Sequence, residues 1–120
     1  MPFVISRVNV PISDAQEKEL KQRLGKAIEL VPGKSEEYLL LDFEDNCRLY
    51  VRGDSSKPVA YITASIFGNE DHCGFSAFAA EVTDIFRDIL GISPESCYIK
   101  FDDIISWAVN GQLIDRRNYW

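Results

Sequence analysis

The sequence has few of the residues that would place it in several common classes of protein. It has three cysteines in 120 residues, and no apolar run approaches the roughly 18 residues of a membrane-spanning helix. An odd number of widely spaced cysteines does not indicate a disulfide framework, so we expect free thiols and a reducing compartment. The N-terminal segment lacks a basic region followed by an apolar stretch, so we expect no secretion through a signal peptide.

Basic residues are in the minority. Thirteen Lys and Arg against nineteen Asp and Glu give a formal net charge of -6. This sign opposes the approach of nucleic acid or an anionic membrane surface, so neither is an expected partner. Hydrophobic residues make up 46% of the chain, which is enough to build a core, and the length predicts a single domain over residues 1–120.

Two apolar stripes with helical spacing predict two helices. The first covers residues 14–31 and begins after a capping box formed by Ser13 and Gln16. The second covers residues 74–90 and stops at Gly91.

The stripes belong to a longer internal repeat. Residues of the first stripe recur 58 positions later with similar side chains, and the same offset relates the segments around each helix. The matched pairs include Leu20 and Phe78, Leu24 and Val82, Ala27 and Ile85, Val4 and Ile62, and Phe43 and Phe101. We therefore interpret the chain as two copies of a strand, helix, strand unit.

Each copy supplies two strands rich in Val, Ile, Tyr and Phe. They are predicted at residues 3–10 and 38–43, and at 58–67 and 97–101, with an extra short strand at 47–51. The expected fold is an α/β (α+β) domain in which two β-α-β pseudo-repeats form a four-stranded mixed sheet with two helices on one face. The other face would expose apolar side chains, so we expect an oligomer to cover it.

This topology brings reactive residues to one edge of the sheet. Pro2 precedes the first strand and Lys34 the second, and the strands of a parallel crossover start at the same end. A third strand antiparallel to the first would add Ser65 and Ile66. Taken singly, a proline after Met1 is an ordinary start and Lys34 fits ordinary capping of a helix end. Their meeting at one edge favours a functional site.

Two other local patterns are interpreted as structural. Residues 70–73 place His72, the only histidine, beside acidic residues and a cysteine. Consecutive loop residues do not converge on one ion, and no second histidine or spaced cysteine pair is present, so we expect no metal. Arg52-Gly53-Asp54 spells an integrin-type tripeptide, but these are also ordinary turn residues between strands.

The residues at the predicted edge, with the segments around them, resemble the macrophage migration inhibitory factor family. The shared segments are MPFVISRVNVP, Gly33-Lys34, residues 52–58, Ala64-Ser65-Ile66 and residues 92–99. The stretch 105–111 is more similar to the D-dopachrome tautomerases of that family. The resemblance extends from Met1 to about Ile114.

This resemblance implies a tautomerase fold assembled as a ring-shaped homotrimer, with an active site at each subunit boundary. It implies that Pro2 is the catalytic base after removal of Met1, with Lys34 and the Ile66 amide beside it. It also implies a pocket lined by Ser65 and Tyr38 and completed by the neighbouring subunit's Tyr98, Lys100 and Val109. The implied reaction interconverts the keto and enol forms of a small acid such as phenylpyruvate, or acts on dopachrome, without a cofactor.

An N-terminal proline suits this role chemically. A base that works near neutral pH needs a pKa near that pH, and an α-amine has a pKa of about 7.7 to 8.0. Burial among apolar groups and the charge of Lys34 would both disfavour the protonated amine and lower this pKa further. Lys34 and a backbone amide could then stabilise the enolate oxygen.

The chain departs from the macrophage factors in three places. Residues 59–62 hold no Cys-x-x-Cys pair, so thiol-disulfide chemistry is not expected. Lys100 stands where those factors have a neutral amide, and residues 116–120 extend past the family pattern.

Two alternatives to a cytoplasmic enzyme remain open. One is a cytokine-like signal that binds a receptor, carries an incidental pocket and is exported by an unconventional route. The other is a trimer that binds small molecules without turnover. The intact Pro2 and Lys34 favour the enzyme over this second alternative.

Overall fold

Each half of the chain folds as a strand, a helix and a second strand. In the computed structural model, which describes residues 2–118, two helices pack on one face of a four-stranded mixed sheet. The helices are α1 (Asp14–Ala27) and α2 (Phe75–Leu90), and the strands are β1 (Pro2–Val8), β2 (Leu40–Glu44), β3 (Ala60–Phe67), β4 (Cys97–Ile104), β5 (Ser106–Val109) and β6 (Gln112–Asp115). The predicted α/β (α+β) fold of two β-α-β repeats is confirmed.

The sheet has the order β2-β1-β3-β4. β1 is parallel to β2 and β3 is parallel to β4, as a crossover connection within each repeat requires. The two repeats join through an antiparallel pair of β1 and β3, in which Pro2 lies opposite Ile66 and Val8 opposite Ala60. The start of β1 and the end of β3 therefore share one edge of the molecule.

The core lies between the helices and the sheet. Alternate residues of β1 and β3 are buried beneath the helices, including the repeat-related pair Val4 and Ile62. The helix stripes meet them with Leu20 and Leu24 from α1 and Phe78, Val82 and Phe86 from α2. Each fully buried aliphatic or aromatic side chain contributes about 1.5 to 3 kcal/mol to folding.

The helix ends follow the local sequence closely. Ser13 and Gln16 form the predicted capping box, and Gly91 ends α2 in a left-handed conformation. Gly74 caps the start of α2 with φ of 82°, and an added Cβ there would collide with the Leu30 carbonyl. The predicted first helix, 14–31, is regular only to Ala27 and continues as a 3-10 turn, Ile28–Leu30, because the proline at 32 disfavours a helical residue before it.

One predicted strand, 47–51, is absent, and another, 38–43, begins two residues later than predicted. Residue 38 belongs to a 3-10 turn, Glu36–Tyr38, and β2 begins only at Leu40. Residues 47–51 form no strand, although the Cys47 amide donates to the Val8 carbonyl at the end of β1. Because β1 ends at Val8, a ladder cannot continue from that bond.

A hairpin that the sequence analysis did not predict follows β4. β5 and β6 pair antiparallel as a separate two-stranded sheet, around Asn110 and Gly111, whose φ values are 55° and 72°. An Asn-Gly pair between apolar residues is a strong signal for this turn, because both central positions need positive φ. Arg52 and Gly53 form a similar tight turn, as predicted, with Val51 bridged to the residue after Gly53.

The sheet face opposite the helices carries several apolar and aromatic side chains. Phe3, Ile5 and Tyr61 are half-buried there, whereas Leu40 and Tyr98 are exposed. Among residues 2–118, no helix is both long and apolar enough to cross a membrane.

Candidate active site

A pocket of about 340 Å³ opens at the edge where β1 begins. Its lining residues come from the start of β1, the turn after α1, the 3-10 turn before β2, and the β5–β6 hairpin: Pro2, Gly33, Lys34, Ser35, Tyr38, Val109 and Ile114. The prediction that Pro2 and Lys34 meet at this edge agrees with this geometry.

Pro2 is held by the sheet itself. It is the first residue of β1, it is buried, and it lies opposite Ile66 near the end of β3. The ring is therefore fixed at the base of the pocket by backbone pairing on its C-terminal side. A rigid secondary amine at this position would present its nitrogen to whatever occupies the pocket.

Lys34 reaches the pocket from the turn that follows α1. Gly33 adopts φ of 77°, which reverses the chain after Pro32, and the Lys34 Nζ donates to the Phe67 carbonyl at 2.6 Å. An added Cβ on Gly68 would lie 3.4 Å from the same Nζ, so the ammonium rests close against the chain as it leaves β3. Among the described lining residues Lys34 is the one with a charged side chain.

The walls of the pocket are apolar and aromatic. Tyr38 is 63% exposed and Val109 is 50% exposed, while Ile114 is half-buried. The resemblance implied that Val109 comes from the neighbouring subunit, but it lines this pocket in the same chain as Pro2 because the hairpin folds back over the sheet edge. Ile114 was missed because the Asn-Gly turn that positions it was not used.

Ser65 and Ile66 lie beside the pocket without lining it in the described chain. Ile66 pairs with Pro2 through the backbone, and its side chain is buried in the core. Ser65 pairs with Phe3, and both occupy the opposite face of the sheet. Of Ile66, only main-chain atoms are therefore available toward the pocket.

Tyr98 and Lys100 do not line the pocket within one chain. Tyr98 pairs with Tyr61, which pairs with Arg7, so it lies two strands and five residues away from Pro2. Strand spacings of about 4.8 Å and rises of about 3.3 Å per residue give a separation on the order of 19 Å. Tyr98 instead lines another pocket, of about 380 Å³, with Tyr61.

Within residues 2–118, the histidine and the cysteines do not line the Pro2 pocket. His72 Nε2 lies 2.9 Å from both carboxylate oxygens of Asp103, and its ring stacks on Phe75. Burial raises the pKa of the Cys97 thiol, which disfavours a thiolate. Within residues 2–118, no group of three or more His, Cys, Asp or Glu side chains is placed to hold a metal ion.

Sequence comparison assigns the family. A family model described as macrophage migration inhibitory factor (MIF) matches residues 1–113. The chain belongs to the MIF family. The match stops within β6, so the last residues of the chain lie outside the part that this MIF model covers. Among curated proteins, none matches the sequence significantly.

Solved structures share the MIF fold over nearly the whole chain. MIF2 from Leishmania major has a TM-score of 0.87 at 21% identity, and covers 95% of this chain and 97% of its own. A MIF homologue from Prochlorococcus marinus has a TM-score of 0.82 at 23% identity, with 92% and 97% covered. Pt0534, solved after inactivation by 2-oxo-3-pentynoate, has a TM-score of 0.81 at 12% identity and 96% of each chain covered. Identities this low show a common fold.

Proposed function

We propose that this protein is a keto-enol tautomerase that uses the N-terminal amine of Pro2 as its general base. The observation that carries the proposal is that Pro2 and Lys34 line one pocket with apolar walls. Membership of the MIF family supports the same class of isomerase.

The proposed base is a neutral secondary amine. Removal of Met1 is required, because a retained Met1 would convert the proline nitrogen into an amide without basicity. A free α-amine has a pKa of about 7.7 to 8.0, and the apolar walls and the Lys34 cation both disfavour its protonated form. The amine is therefore suited to accept a proton near neutral pH.

The reaction needs one proton acceptor and one stabiliser of negative charge. The Pro2 nitrogen removes a proton from the carbon next to the substrate ketone, and the electron pair of that C–H bond forms the carbon–carbon double bond of an enolate. Lys34 stabilises the enolate oxygen, which takes a proton from water to give the enol, and the protonated Pro2 amine releases its proton to water. Return of the enol to the keto form reverses these steps.

An arylpyruvate such as phenylpyruvate is the proposed substrate. Its carboxylate matches Lys34, a cation in a protein whose net charge is -6, and its ring matches the walls formed by Tyr38 and Val109. Pt0534, which shares the fold, is inactivated by 2-oxo-3-pentynoate, itself a 2-oxo acid.

The proposed active unit is a homotrimer. Tyr98 and Lys100 do not line the Pro2 pocket of their own chain, so we assign them to the pocket of another copy. The exposed Leu40 and the half-buried Ile5 lie on the sheet face that such an assembly would cover. Light scattering after gel filtration should give about three times 13.6 kDa, and a monomer at micromolar concentration would contradict this assembly.

Steady-state kinetics on phenylpyruvate test the function. The protein is first shown by intact mass to lack Met1. Pro2→Gly keeps an amine but loses the rigid ring, and should lower kcat. Lys34→Ala should raise KM and lower kcat, whereas Lys100→Ala should raise KM alone. A wild-type rate equal to that of buffer, or full activity in Pro2→Gly, would refute the proposal and leave the receptor-binding alternative.

A further inference from the structure

The β5–β6 hairpin closes one side of the pocket but has little apolar anchoring of its own. It forms its own two-stranded sheet, separate from the four-stranded sheet. Val109 is half exposed and Leu113 is 62% exposed. Across the hairpin, residues 106–115, Asp115 is the only buried residue. The one buried side chain of the hairpin is therefore a carboxylate, whereas Trp107 and Ile114 are half-buried.

Asp115 ties the two ends of the hairpin together. It is 4% exposed, and its Oδ2 accepts a hydrogen bond of 2.7 Å from the Ser106 hydroxyl at the start of β5. The Arg117 backbone amide and guanidinium donate three further bonds of 2.8 to 3.0 Å to the same carboxylate. The hydrogen bonds from Arg117 and Ser106 lower the pKa of Asp115, so it is ionised at neutral pH.

Arg116 joins the hairpin to the loop that follows β3. Its backbone amide donates to the Ile105 carbonyl at 2.9 Å, and its Nε lies 3.4 Å from a carboxylate oxygen of Glu70. Glu70 belongs to the loop that leaves β3 just after Phe67, and the Phe67 carbonyl accepts the hydrogen bond from Lys34. The segment after β6 thus contacts both the hairpin and the loop beside the lysine.

Asp115, Arg116 and Arg117 lie beyond residue 113, where the match to the family model ends. We propose that these three residues, with Ser106, form a C-terminal clamp that positions Val109 and Ile114 as a wall of the substrate pocket. The clamp residues are positioning residues, because they act through the hairpin. The proposal rests on the tautomerase function proposed above for the consequence in catalysis, but the clamp itself is a property of the hairpin.

The clamp makes a specific kinetic prediction. Loosening the hairpin would move the apolar wall and leave Pro2 and Lys34 in place, because neither belongs to the hairpin. Substrate affinity should therefore fall while the chemical step stays nearly unchanged. Lys34→Ala, by contrast, is expected to change both KM and kcat.

The test compares Asp115→Asn and Arg117→Ala with Arg117→Lys and a matched control. The control is Asp88→Asn, whose carboxylate is likewise bound by arginines, but on the exposed side of α2. Hydrogen exchange measured by mass spectrometry over residues 106–115 should accelerate about tenfold or more in the first two variants. In the same two variants, KM for phenylpyruvate should rise about three- to tenfold while kcat stays within about twofold of wild type. Arg117→Lys should show smaller increases in exchange and in KM than Arg117→Ala. The control should change neither quantity.

Unchanged exchange over residues 106–115 in both variants would overturn the clamp. Faster exchange throughout the chain, together with a lower Tm, would also overturn it, because the residues would then support the whole fold. Arg117 is 72% exposed, so Arg117→Ala keeps the test valid if Asp115→Asn fails to fold. If the wild type shows no turnover, the proposed function is refuted but the clamp is not. The clamp is then tested by hydrogen exchange and by calorimetric measurement of phenylpyruvate binding.

Discussion

Lys34 offers the sharpest perturbation of the proposed chemistry. Its Nζ is held 2.6 Å from the Phe67 carbonyl inside a pocket whose other described lining residues carry no charge. A hydrogen bond to a charged group contributes about 1.5 to 3 kcal/mol. If Lys34 makes one such bond to the enolate in the transition state, Lys34→Ala should lower kcat/KM about 10- to 150-fold.

The assay separates this effect from a general change in charge. Lys18→Ala removes one exposed cation from a different groove, lined also by Asp14, and should leave kcat/KM unchanged. Phenylpyruvate methyl ester lacks the carboxylate, so the preference of the enzyme for the acid over the ester should shrink in Lys34→Ala. Equal kcat/KM for Lys34→Ala and wild type, with Tm unchanged, would refute the assignment.

Three further predictions concern stability. Ile62 is fully buried, so Ile62→Asp should lower the unfolding free energy by more than about 3 kcal/mol. Ile99 is only half-buried, so Ile99→Asp should lower it by less. Equal urea midpoints for both variants and wild type would contradict the fold. The Ser6 hydroxyl is buried without a hydrogen-bond partner in the described chain, and the repeat places Ala64 at the matching position. Ser6→Ala should therefore raise the unfolding free energy by about 1 kcal/mol. A lower urea midpoint than that of wild type would contradict this. The pKa of Asp115 is lowered in the folded protein, so its carboxylate stabilises the fold above its unfolded pKa of about 3.9, and this stabilisation is lost as pH falls below that value. The unfolding free energy should therefore decline more steeply at low pH in wild type than in Asp115→Asn. Parallel pH profiles of the two proteins would contradict the role of this charge.

The internal repeat made most of the fold predictable. Matching Leu20 to Phe78 fixes the register of the two helical stripes, and matching Val4 to Ile62 assigns the buried faces of β1 and β3. The meeting of Pro2 and Lys34 then follows from the parallel direction of the first two strands, which start at the same end of the sheet. These features depend on local periodicity and on a general topological rule.

The features that were missed depend on pairing partners and on contacts between distant side chains. Residues 47–51 have the composition of a strand, but β1 ends at Val8 and leaves them no strand to continue along. The hairpin could have been predicted from Asn110 and Gly111, whereas its position over the pocket could not. That position depends on the hydrogen bond from Ser106 to Asp115 across the strand pair.

The central claim is that the amine of Pro2 is the reactive group of the pocket. 2-Oxo-3-pentynoate tests it directly, because a neutral amine can add to its alkyne carbon, forming a nitrogen–carbon bond while the amine proton passes to the adjacent carbon. Protein that lacks Met1 is treated with this reagent, and the adduct is located by peptide mass spectrometry, with Cys73→Ser to remove an exposed thiol. We predict one adduct, on the Pro2 nitrogen, and loss of tautomerase activity in proportion to its occupancy. Loss of activity with the adduct elsewhere, or full occupancy of Pro2 with activity retained, would contradict the claim.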